Sequence, residues 1–61
     1  MQVGTIVKPK INIYLNAMLL IQKGTPLTVV KEESAGVVLC EALHLPGLLF
    51  RLETGSLEVS Q

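Results

Sequence analysis

The sequence predicts an all-β fold of short strands. Three observations carry that expectation. Apolar residues come in runs of two to five, separated by Gly, Pro and charged clusters, which is strand and turn punctuation. β-Branched residues concentrate in those runs, as in Thr28-Val29-Val30 and Val37-Val38. No segment repeats its apolar residues at three and four over a helix-length window without also alternating at two.

Taken in order, Gln2–Val7 reads as a first strand, with Val3, Thr5 and Val7 on one face and Ile6 on the other. Pro9 cannot donate to a ladder, so it marks an edge, a bulge or the strand end. Ile11–Ile21 is ambiguous. Ile11, Ile13, Leu15 and Ala17 alternate with Asn12, Tyr14, Asn16 and Met18, yet Ile11, Leu15, Met18 and Leu19 also share a helical face. Asn12, Asn16 and the β-branched Ile11 and Ile13 favour an extended excursion over a short helix.

Lys23-Gly24-Thr25-Pro26 is a turn. Leu27–Leu43 reads as a central hairpin turning through Lys31–Gly36, with Gly36 supplying the positive φ. In its second strand Val37, Leu39 and Leu43 share one face, and Val38, Cys40 and Ala42 the other. Pro46-Gly47 suits the centre of a type II turn. Leu48–Leu52 is a strand with Leu48, Phe50 and Leu52 facing one way. Glu53–Ser56 reverses the chain, and Leu57-Glu58-Val59 closes it.

Five short strands, one long early excursion and tight turns thereafter can curl into a small barrel that shields its edges. Val3-Gly4-Thr5-Ile6-Val7 resembles the Val-Gly-Asp-x-Val opening of many SH3-like domains. Phe50 followed by Leu57-Glu58-Val59 resembles their usual close. The resemblance implies a five-stranded SH3-like barrel over 1–61, with the excursion as a long, partly extended first loop. That layout is similar to small accessory subunits of photosynthetic and redox complexes and to many transcription-associated, phage and plasmid proteins. It carries no functional residues with it.

Composition narrows the function classes. A chain of 61 residues forms one domain and is marginal alone. Cys40 is the single cysteine and His44 the single histidine, so neither a disulfide within the chain nor a four-ligand zinc site is expected. No cofactor is expected either. The longest uncharged apolar stretch, Ile11–Gln22, is far short of the about 20 residues of a spanning helix. With no secretory pattern at the start, a cytoplasmic protein without membrane contact is the expectation. Residues 1–31 carry four lysines and no acid, whereas residues 32–61 carry five glutamates against Arg51. Such asymmetry suits a polyanion partner, complementary faces in an assembly, or plain solubility.

Candidate chemistry is sparse. His44 reads as a polar loop residue rather than a general base, and Cys40 as a small core hydrophobe. Glu32-Glu33 reads as a solvated turn pair. The central strands are apolar on both faces, more than a small barrel can enclose. The expected function is therefore a non-enzymatic interaction module, self-associating or an accessory subunit of a larger complex. Its expected contact residues are Ile13, Leu15, Met18, Leu19, Leu20, Ile21, Val38 and Leu49. The alternative is a nucleic-acid-binding regulatory module using Lys8, Lys10, Asn12, Tyr14 and Lys23; the even positions from Lys8 to Asn16 would share one face of a continuous strand, with Lys23 beyond it. A third reading is an oligomeric mini-enzyme with an intersubunit site, for which an SH3-like plasmid reductase is the precedent.

Overall fold

The computed structural model describes residues 1–60. It is all-β. Seven strands run in order: β1 (Ile6–Pro9), β2 (Ile13–Leu15), β3 (Met18–Ile21), β4 (Leu27–Ser34), β5 (Val37–Ala42), β6 (Leu49–Glu53) and β7 (Leu57–Val59). A single 3-10 turn, Thr54–Ser56, precedes β7. Five strands form an antiparallel sheet in the order β6-β5-β4-β1-β7, while β2 and β3 form a separate hairpin.

Cross-strand partners put apolar side chains in rows on one face, and those rows are the core. Val7, Leu27 and Ala42 form one row. Val29, Cys40 and Phe50 form the next, and Val38 with Leu52 the third. Ile21 and Leu57 complete the buried cluster, with Ile13, Leu20, Leu45 and Met1 packed against it. In β6, burial alternates strictly, Phe50 and Leu52 in and Leu49, Arg51 and Glu53 out. That alternation is the period of a strand covered on one side.

Several expectations need correction. The sheet does not close: β6 and β7 are its two ends and do not pair with each other, so a barrel is not formed. The first strand starts at Ile6, not Gln2. Gly4 at φ +91° bends the chain first, and its N–H donates to the Val29 carbonyl (2.7 Å). Pro9 is the last residue of β1, the strand end being one of the places expected for it, and it is buried and registered with Leu57. The Ile11–Ile21 excursion is the β2–β3 hairpin, turned by Asn16 (φ +51°) and Ala17 (φ +70°). Two positive φ values in a two-residue loop are the type I′ signature.

The central hairpin turns at Ala35-Gly36 rather than over 31–36, so the charges at 31–33 belong to β4. Register shifts leave Val30 and Glu33 as extra residues opposite β5. Each shift re-aims the side chains that follow it. Glu32 comes to face Val38, where its carboxylate accepts from the Met1 amino group (3.1 Å). Glu33 swings outward to meet Arg51 Nε at 2.7 Å. Finally, Leu48 precedes β6 and is exposed rather than sharing the inward face of Phe50 and Leu52.

Candidate interaction groove

Two strands outside each other's sheets approach to form one groove. Ile13, Tyr14 and Leu15 of β2, with Leu20 of β3, make one wall; Leu48 to Leu52 make the other. The volume is about 400 Å³, at the lower end of the range of ligand pockets. The lining is mostly aliphatic. Tyr14 and Arg51 are its only ionisable side chains, and Arg51 is engaged by Glu33.

Consecutive residues line both walls. Successive side chains of a strand point to opposite faces, so a groove touched by all three residues of β2 and by the four consecutive residues Leu49 to Leu52 of β6 runs along strand edges, not across a face. The β6 edge can be read in detail. The Thr54 N–H donates to the Gly36 carbonyl (2.9 Å), just beyond the Val37–Glu53 pair. That bond makes Val37–Glu53 a non-hydrogen-bonded pair. By the antiparallel alternation, Phe50 and Leu52 spend their N–H and C=O groups on β5. The backbone groups of Leu49, Arg51 and Glu53 therefore face the free edge.

Local contacts hold the lip of the groove in place. The Leu48 N–H donates to the Leu45 carbonyl (3.2 Å) across Pro46-Gly47, with Gly47 at φ +84°, as a type II turn requires. The Gly47 N–H donates to Glu41 Oε2 (2.7 Å), tying this turn to β5. At the hairpin base, the Lys23 N–H donates to Asn12 Oδ1 (2.7 Å) and the Gly24 N–H to the Pro9 carbonyl (3.1 Å).

The expected contact residues divide. Ile13, Leu15, Leu20 and Leu49 line the groove. Met18 and Leu19 are exposed at the hairpin tip. Ile21 and Val38 are buried in the core, so the outward placement of the Val38 face is corrected: Val38, Cys40 and Ala42 point inward, and Val37 and Leu39 are the half-covered side. Tyr14, expected on a polar stripe, lies on the groove. That stripe is broken, because the chain bends between β1 and β2. Lys8 is half-buried opposite Glu58, Asn12 is spent on the hairpin base, and Lys10 and Lys23 are exposed near it. Leu48, Phe50, Arg51 and Leu52 were not among the expected contacts. Their signal was the alternation in Leu48–Leu52, which marks a strand but not whether that strand ends a sheet.

Cys40 is fully buried, and burial pushes its thiol up from the ordinary value. His44 is exposed on the loop before Pro46. Among the described residues no group of His, Cys, Asp and Glu gathers to hold a metal, no buried side-chain polar atom lacks a partner, and no helix is long and apolar enough to cross a membrane. The chain matches no family model, no curated protein and no solved structure.

Proposed function

We propose that this chain is a small, non-enzymatic interaction module whose working surface is the groove between β2 and β6. Its ligand is an extended polypeptide segment with apolar side chains. One observation carries the reading: consecutive residues of two strand edges line a single apolar groove, and β6 turns unpaired N–H and C=O groups to its free edge. An added strand satisfies such an edge through its main chain and fills apolar pockets with alternate side chains. The groove's chemistry agrees, since a phenol and an ion-paired guanidinium among aliphatics make a docking surface rather than a reaction centre. We assign the scaffold to the SH3-like class on the early excursion, the tight later turns and the Leu57-Glu58-Val59 close.

The test is a selection of short linear peptides from a displayed library, followed by amide mapping. Selected peptides should alternate apolar residues and slow exchange at the Leu49, Arg51 and Glu53 amides. Leu49→Lys should weaken them about 10- to 100-fold, the loss of one apolar anchor. Should no peptide and no second copy of the chain occupy the groove, the reading fails.

A further inference from the structure

We infer that the segment taken up by the groove is the β2–β3 hairpin of a second copy of this chain, inserted reciprocally about a two-fold axis. This rests on the groove reading above and names its occupant.

The hairpin tip has no use within its own chain. Met18 and Leu19 are 67% and 47% exposed and line no part of the groove, and the turn beside them holds Ala17 at φ +70°, a costly conformation for a residue with a Cβ. A strained turn thus presents a compact apolar knob to solvent. Six of the eleven exposed large apolar residues are Met18 and Leu19 at the hairpin tip and Tyr14, Leu15, Leu48 and Leu49 at the groove. A standard dimer covers about 800 Å² per partner. Against a surface of 4073 Å² that is about a fifth, and this strip gathers more than half of the exposed large apolar residues that could supply it.

Charge favours a self-contact. Residues 11–22 carry no charge, and the one charge on the groove wall, Arg51, is already held by Glu33. Seating the tip in the groove therefore buries no unpaired ion. Shape agrees too. The outer edge of β3 and the outer edge of β6 are both unpaired, and the ligand the groove calls for is a strand. Because Ile13, Tyr14, Leu15 and Leu20 of the hairpin form one wall of the groove, tip and groove adjoin. A two-fold axis beside that wall brings each tip to the other copy's groove and closes the assembly at two.

The test is a charge-swap pair read by light scattering and sedimentation equilibrium. Met18→Asp alters the tip and Leu49→Lys the groove. Both positions are exposed, and circular dichroism should show that each variant folds. The wild type should run at twice 6.6 kDa. Each variant alone loses both reciprocal contacts, and its dimerisation should weaken on the order of 100-fold. An equimolar mixture should dimerise again, because one contact is then wild type and the other sets Asp against Lys. A monomeric wild type at millimolar concentration overturns the inference, as does either variant dimerising alone or a mixture that stays monomeric. If the wild type is monomeric while library peptides still fill the groove, the proposed function stands and only this inference falls. Sedimentation with vesicles of phosphatidylserine and phosphatidylcholine covers the remaining occupant. A monomer whose vesicle binding is lost on Met18→Asp would make the tip, with Lys10 and Lys23 behind it, a lipid contact and would overturn the dimer.

Discussion

Ala17 is the residue at which local preference and observed geometry disagree most. An L-residue in the left-handed region costs about 1–2 kcal/mol, while a glycine there costs about 0.5–1 kcal/mol in lost unfolded-state freedom. Ala17→Gly should therefore stabilise the fold by about 0.5–1 kcal/mol, raising Tm by roughly 2–8 °C in a domain of this size. A calorimetric Tm that falls instead would show that the turn is not type I′ in solution. Cys40 makes a second prediction. Its buried thiol titrates above the ordinary value, so the folded state holds the proton more tightly than the unfolded state does. Stability is then fully present below the unfolded thiol pKa of about 8.5 and is lost as pH rises from there through the folded value. Urea midpoints between pH 7 and 10 should fall for the wild type and fall less for Cys40→Ala. A thiol reagent should label native Cys40 only as fast as the sheet opens.

At the scale of elements, the two apolar faces of β5 take opposite roles, and substitution separates them. Val38→Lys places a charge in the row with Leu52 and should abolish folding, as a buried unpaired charge does. Leu49→Lys, half-exposed on the sheet edge, should leave a folded protein by circular dichroism. Alternation in the sequence showed that β5 has two apolar sides. It did not show which side is inner, because Val37 and Leu39 read as apolar as Val38 and Cys40. The deciding facts are non-local: β6 supplies Phe50 and Leu52 to the Val38 side, and nothing comparable covers the other. The final strand and the turns at Gly24, Gly36 and Pro46-Gly47 were legible, since each rests on a few adjacent residues. The β2–β3 hairpin was half legible. Its period was visible, but Asn-Ala is not the Asn-Gly pair that announces a type I′ turn. The groove was least legible, because it depends on which strands end without neighbours. Barrel closure failed as an expectation for the same reason, since five strands of this length are compatible with either outcome.

At the scale of the molecule, folding brings together the oppositely charged halves of the sequence. Lys8 stands opposite Glu58 in the β1–β7 ladder, and the Met1 amino group meets Glu32 at 3.1 Å. Exposed pairs of this kind contribute only about 0–1 kcal/mol each. Tm should therefore move by no more than a few degrees between low salt and 1 M NaCl. A steep drop would mean that these pairs stabilise the sheet far more than their exposure suggests. A marginal fold that gains stability from a second copy should also melt at a temperature that rises with protein concentration. The open sheet has a further consequence. Its two ends are unlike: β6 offers five residues and β7 three, Leu57–Val59, with an exposed Glu58. If the β6 end of one molecule were to join the β7 end of the next, each addition would leave the same two ends free, and growth would never stop. On the proposed dimer, a hairpin seated at the β6 edge would act as a stopper against polymerisation. The shortness and charge of β7 are a second safeguard, since brief, charged edges are poor templates. Deleting the hairpin tip should yield a protein that forms fibres on standing, and replacing Glu58 with valine in that background should hasten it.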